Sequence, residues 1–264
     1  MRKQSFILLI FGLFMANYLI GQSIYTDRPT VTTSPNTLSK HWFQLESGFQ
    51  YQVRDIQSVF LFPEGTKVEN FSYNTTLLRY GLTNKFELRF TQDLSLARIV
   101  NDGETLVEGD VELAPTRLGF KWNFLEGQGA IPKVSFLFNY GNTVFTSGAS
   151  DGFIETALLF NSVIFEEFNL DYNLGFLMEN NINFNAFNYS VVLSRSVNEK
   201  MTAFVETFGF FEEGLPDTIS FDAGLMYLIS DTFQADLYLG TGFSELSPNL
   251  LFGFGLSKLF LPKK

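Results

Sequence analysis

The tightest constraint on this chain is a two-residue rhythm that turns back on itself across Leu78-Arg79-Tyr80-Gly81-Leu82-Thr83-Asn84-Lys85-Phe86-Glu87-Leu88-Arg89-Phe90. Two alternating runs joined by a Gly/Asn-bearing turn describe a β-hairpin. Leu78, Tyr80, Phe86, Leu88 and Phe90 fall on one face, and Arg79, Glu87 and Arg89 on the other. In a soluble sandwich the charged face would look at bulk water. In a transmembrane barrel the apolar face meets lipid and the charges line a lumen.

The rest of the chain favours the barrel. The cleanest alternation is His41–Arg54, where Phe43, Leu45, Phe49, Tyr51 and Val53 share one face and Gln44, Glu46, Gly48, Gln50 and Gln52 the other. Further strands are expected at about Asn70–Gly81, Lys85–Ser95, Val111–Leu125, Pro132–Thr143, Glu155–Phe165 and Asn169–Asn180. They continue at about Asn185–Ser196, Met201–Phe211, Thr218–Leu228, Thr232–Gly242 and Asn249–Leu261, which makes about twelve. Each is long enough for the roughly 9–11 residues of a tilted spanning strand. Short turns such as Leu82–Asn84 and Ile229–Asp231 alternate with longer acidic loops at Asp55–Glu69, Leu96–Asp110 and Val144–Ile154. That alternation marks an up-and-down outer-membrane barrel with its short turns on the periplasmic side. The inward face of the sixth and ninth strands stays open, since Leu158–Phe165 is almost continuously apolar and Glu206 shares parity with Phe204, Phe208 and Phe210.

Composition and address agree. Phe accounts for 32 of 264 residues, which suits a broad apolar surface more than a small core. Cys is absent, which excludes a disulfide framework, thiolate metal or redox sites and a lipid-modified cysteine. A net charge of −10 excludes nucleic acid as a partner, because that binding rests on neutralising phosphate. Met1–Gly21, with Arg2 and Lys3 before the apolar run Phe6–Ala16, has the pattern of a signal peptide; the run is too short to span a bilayer. The expected organisation is a signal peptide over residues 1–21, an extended N-terminal segment over 22–40, and an antiparallel all-β barrel over 41–264 in the outer membrane of a Gram-negative bacterium. Trp42, Phe43, Tyr80, Phe86, Trp122, Phe124, Phe168 and Tyr227 gather near the short turns, as an interfacial aromatic belt would.

Several stretches carry a family resemblance. Thr26-Asp27-Arg28-Pro29, Thr33-Ser34-Pro35, Phe43-Gln44-Leu45-Glu46-Ser47-Gly48-Phe49, Leu78-Arg79-Tyr80-Gly81-Leu82-Thr83 and Phe86-Glu87-Leu88-Arg89 resemble the MetA-pathway of phenol degradation family. Gly119-Phe120-Lys121-Trp122, Tyr172-Asn173-Leu174-Gly175 and Gly253-Phe254-Gly255-Leu256-Ser257 are softer echoes, and the C-terminal Phe260-Leu261-Pro262-Lys263-Lys264 departs from the terminal aromatic of many bacterial barrels. The resemblance implies a transporter-like barrel for small molecules, apolar or aromatic ones among them.

Glu46, Arg79, Glu87, Arg89, Arg117 and Lys121 are the lumen candidates. An Arg or Lys facing lipid near the midplane costs roughly 2–4 kcal/mol, so these should point inward and pair. Such a set can filter solutes or can interlock as a ladder that closes a narrow barrel. Parity across the Leu82–Asn84 turn predicts Arg79 directly opposite Glu87, as an ion pair. Asp27 and Arg28, on a polar segment too short to fold alone, are candidates for a plug in the periplasmic mouth, with a disordered leader as the alternative.

An enzyme is not expected. The sole histidine, His41, is the only side chain that could serve a Ser-His-acid hydrolase, and no G-x-S-x-G context accompanies it. No catalytic residue, metal site or cofactor is expected. The acidic loop residues Asp102, Glu104, Glu108, Asp110 and Asp151 form a solvated rim that could meet lipopolysaccharide through divalent cations. Expected partners are the bilayer, lipopolysaccharide, the barrel-insertion machinery and a small solute. The rival to a passive uptake channel is a closed structural or adhesive barrel with a filled lumen.

Overall fold

A computed structural model describes residues 24–55, 62–128, 131–142, 152–165, 167–179, 184–212 and 214–262. The signal-peptide reading over Met1–Gly21 and Asp151 of the acidic rim lie outside the described residues.

The sheet closes on itself. Strand β1 (Phe43–Asp55) pairs on one side with β2 (Lys67–Thr83) and on the other with the last strand, β15 (Leu250–Phe260). β3 (Phe86–Gln92) and β4 (Leu94–Asn101) form one wall position, both paired with β2 and separated at Asp93. β5 (Glu104–Glu108), β6 (Glu112–Leu113) and β7 (Thr116–Leu125) share the next. Then follow β8 (Lys133–Asn142), β9 (Phe153–Ile164), β10 (Phe168–Glu179), β11 (Phe184–Ser196), β12 (Met201–Glu212), β13 (Thr218–Ser230) and β14 (Phe233–Gly242), each antiparallel to its neighbour in sequence. The result is a closed, antiparallel, all-β barrel of twelve wall positions.

Burial runs inside out. Glu46, Arg79, Glu87 and Lys121 are 0% exposed, whereas Leu118 is 57% and Leu239 55% exposed on the outer face. Along β15 the alternation is strict, with Leu251, Gly253, Gly255 and Ser257 inward and Leu250, Phe252, Phe254 and Leu256 outward. A soluble protein of two stacked sheets would hide the apolar face between them. A barrel in lipid exposes it. Among the described residues no helix is long and apolar enough to cross a membrane.

Three expectations need correcting. The stretch Leu96–Asp110 is not a loop: β4 runs on to Asn101, turns at Asp102-Gly103 (φ 48° and 84°) and returns as β5. Asp-Gly supplies the two positive φ values of a type I′ turn, which carries the wall beyond its neighbours. The expected strand Val111–Leu125 is split into β6 and β7 at Ala114-Pro115, where Pro115 has no N–H for the ladder. The hairpin register also differs. The turn is Asn84-Lys85, and a bulge absorbs Leu82, so Gly81 faces Glu87, Thr83 faces Phe86, and Arg79 faces Arg89. Arg79 and Glu87 still form an ion pair, reached diagonally, at 2.9 Å.

Both open strand faces are settled by burial. On β9 the inward set includes Leu159, fully buried, and Asn161, bonded to Asp171 of β10. On β12 it is Phe204, Glu206 and Phe208, so there an acid and two aromatic rings share the lumen side.

Candidate functional site: an occupied lumen

The segment from Ile24 to Lys40 is extended and lies inside the barrel, held by inward side chains from most of the wall. Its two ends are clamped by apolar contact, with Ile24 and Leu38 buried against Leu259 and with Trp42 and Leu228 packed on the cluster. Trp42 therefore serves the interior, not the expected aromatic belt, whereas Trp122, Phe124 and Tyr227 do face outward. Gly81 makes the clamp possible: a Cβ there would collide with the Leu38 and Ser39 carbonyl oxygens.

Arg79 is the hub. Nε and Nη2 grip both oxygens of Glu87 (3.0 and 2.9 Å), and Nη1 reaches Glu46 (3.0 Å). The remaining donors go to the carbonyl oxygens of Tyr25 (2.9 Å) and Asn36 (3.1 Å). All five guanidinium N–H groups are thus engaged, two of them by the segment. Lys121 Nζ bonds Asp27 (3.1 Å) and the Ser34 and Asn36 carbonyls (2.8 and 3.1 Å). Arg89 bonds Asp27 (2.5 Å) and Glu87 (2.8 Å). Glu46 accepts from the Asp27 and Arg28 backbone N–H groups, both at 3.0 Å. The wall's parity and the segment's own carboxylate bring three acids (Asp27, Glu46, Glu87) against three cations (Arg79, Arg89, Lys121) in one buried, balanced network.

Burial by itself would raise the Asp27 carboxyl; Arg79, Lys121 and Arg89 around it outweigh that and hold it well below the usual carboxylate range. Asp27 is therefore ionised at every pH near neutrality. Arg28 points to the other side of the lumen, where Nη2 meets Asp236 (3.3 Å) and the Phe254 carbonyl (3.1 Å). It fits because Gly48 and Gly255, paired across β1 and β15, leave its guanidinium room that any Cβ would take.

Arg117 is not part of this set. It pairs with Asp93 at 2.7 Å, partly open to solvent. His41 is exposed and its Nδ1 lies 3.0 Å from the Tyr80 hydroxyl.

The segment does not fill the lumen. Its alternate residues Thr26, Arg28, Thr30, Thr32 and Ser34 face a cavity of about 360 Å³, walled opposite by Asn161, Asp171, Val192 and Met226. On this side Glu206 accepts from the Val31 N–H (2.9 Å), the Thr32 N–H (2.6 Å) and the Thr32 hydroxyl.

A family model described as "Putative MetA-pathway of phenol degradation" matches residues 26–260, from the first residues of the lumen segment to the end of β15. The chain belongs to this family. No curated protein shows significant sequence similarity to it. Among solved structures, the COG4313 outer membrane channel from Pseudomonas putida F1 is similar at a TM-score of 0.66 and 12% identity, over 88% of this chain and 100% of that one. The translocator domain of the autotransporter NalP from Neisseria meningitidis follows at 0.54 and 11%, over 84% and 90%. The KdgM porin gives 0.52 and 10%, over 83% and 99%. These likenesses establish the outer-membrane barrel fold.

In this phenol-degradation family member the sequence reading missed Asp171, Asp222 and Asp236, all inward-facing acids of the β10–β14 wall. Each sits in a short alternating run with apolar neighbours, such as Phe221-Asp222-Ala223. Parity along β10, β13 and β14 was the signal that would have found them.

Proposed function

We propose that the protein is a passive outer-membrane channel for small molecules, apolar and aromatic ones included, whose bore is set by the segment 24–40 acting as a plug. The observation that carries this is the cavity of about 360 Å³ left between segment and wall, a volume suited to a small solute. The family description, which refers to phenol degradation, supports aromatic solutes, and the similar Pseudomonas putida structure is named as a channel. The inward charges Glu46, Arg79, Glu87, Arg89 and Lys121 act as the plug's socket in this reading, with Asp27 and Arg28 as its two charged pins. Arg117 sits outside the socket. The protein is not an enzyme, and His41 has an interfacial structural role. The outer membrane of a Gram-negative bacterium is its location. Its acidic β4–β5 rim (Asp102, Glu104, Glu108) faces lipopolysaccharide, and the insertion machinery delivers it.

Liposome swelling across solutes of graded size and polarity tests the reading. Swelling with small aromatic alcohols and not with disaccharides is expected, and deletion of residues 22–38 should raise the size limit. A closed structural barrel is favoured by the density of segment-to-wall bonds. Well-folded protein that is silent when intact and conducts only after the deletion would establish that alternative.

A further inference from the structure

We propose that the inner face of β12–β14 is a binding subsite for an organic monoammonium ion carrying an aryl or alkyl body. Glu206 and Asp222 face one another directly across the β12–β13 rung. Both are 1% exposed. Glu206 is occupied by Val31 and Thr32, but neither oxygen of Asp222 has a hydrogen-bond partner among the described residues. Gly240, opposite on β14, leaves the space into which Asp222 leans; a Cβ there would come within 2.6 Å of the Asp222 Cβ.

Two buried carboxylates with no basic partner are stable only with a counter-cation or a shared proton. The ion pairs of the lumen leave them uncovered: Arg28 binds Asp236 and the Phe254 carbonyl, and Arg79, Arg89 and Lys121 are spent on Asp27, Glu46 and Glu87. A metal ion fits poorly, since no three acid or histidine groups among the described residues converge on one point. The surroundings match an organic cation instead. Phe204 and Phe208 flank Glu206 on the same face, and Val192, Tyr238, Leu251 and Met226 complete an apolar cluster around it. Aromatic faces and a desolvated carboxylate together recognise an ammonium group with a hydrocarbon body. Val192 and Met226 also line the cavity, so the subsite adjoins the space a solute would occupy.

The proposal rests on the channel reading only for the ligand's route, and its test is separable from transport. Equilibrium dialysis of the purified, detergent-solubilised full chain would compare 2-phenylethylamine with 2-phenylethanol at pH 7. The amine should bind about ten-fold more tightly, and Asp222→Asn should remove that preference while leaving alcohol binding unchanged. Should Asp222→Asn fail to fold, Glu206→Gln, which keeps an acceptor for Thr32, should reduce the preference instead. Equal binding of amine and alcohol by the unaltered protein, or a preference that survives in a folded carboxamide variant, would overturn the subsite and leave a shared proton as the acids' resolution. Amine binding without liposome swelling would keep the subsite and remove the channel; swelling without amine preference would do the reverse.

Discussion

The two halves of the lumen solve the same problem in opposite ways. On the β1–β3 and β7 side, acids and bases are equal in number and every one of them touches another or the inserted segment. On the β12–β14 side, Glu206, Asp222 and Asp236 face, among the described residues, a single cation, Arg28, set among aromatic and aliphatic side chains. The first half is a finished structure, with no donor of Arg79 left to give. The second has acceptors to spare and a cavity beside it. A lumen built this way holds the inserted segment on one wall and, on the proposed reading, leaves the other open to a ligand.

The sharpest way to break the contrast is to remove the hub. Arg79→Ala strands Glu46 and Glu87 in a buried site and unties the Tyr25 and Asn36 carbonyls. A loss of about 3–5 kcal/mol is expected, read as a lowered denaturant midpoint in detergent, with larger conductance as the segment loosens. Arg79→Lys should recover little, because an ammonium cannot grip both oxygens of Glu87 while reaching Glu46.

Asp27 comes next. Asp27→Asn leaves Arg89 and Lys121 short of a counter-charge and should cost about 3 kcal/mol, the upper end for hydrogen bonds to charged groups. The native residue also fixes the sign of a pH effect. Its folded pKa lies below its unfolded value of about 3.9, so the docking energy is fully present above that pH and is lost as pH falls further. Single-channel conductance should rise as pH falls below the unfolded value, and Asp27→Asn should abolish that rise. A rise below that pH that survives in the folded variant would show that Asp27 does not hold the segment.

The opposite wall should respond more mildly. Glu206→Gln keeps an acceptor for the Thr32 N–H and hydroxyl but sets an amide NH2 against the Val31 N–H and should cost about 1 kcal/mol, whereas Glu206→Ala leaves both N–H groups unsatisfied and should cost about 2 kcal/mol. If the carboxamide were as damaging as the alanine, the charge itself would matter to docking and the two walls would be alike.

What could be read in advance follows the same division. Where polar-in, apolar-out alternation held, as along Phe43–Asp55, strand and inward face were both legible. It failed on β12, because Phe204 and Phe208 point inward beside Glu206, and a lumen that is partly apolar erases the contrast on which parity depends. The β4–β5 hairpin was hidden by its charge: Asp102-Gly103 is a turn signal, but the surrounding acids looked like loop. The bulge at Leu82 could not be inferred, since parity counts residues and a bulge is one residue that the partner strand does not count. Nor does periodicity say what fills a barrel. That Arg79 spends two donors on carbonyls of Tyr25 and Asn36 depends on contacts 54 and 43 residues apart.

Arg117 gives the smallest effect and the most discriminating control. It has the same inward parity on β7 as Lys121, yet it lies beyond the segment, pairs among the described residues with Asp93, and keeps 29% of its side chain exposed. A partly solvated pair of this kind contributes about 0–1 kcal/mol, because water already screens both charges. Arg117→Ala should therefore leave the denaturant midpoint almost unchanged and the size limit for solutes unaltered, while Lys121→Ala, four residues along the same strand, should shift both. Equal effects from the two would mean that inward charge alone, and not contact with the segment, governs the bore, and the division between the walls would lose its physical basis.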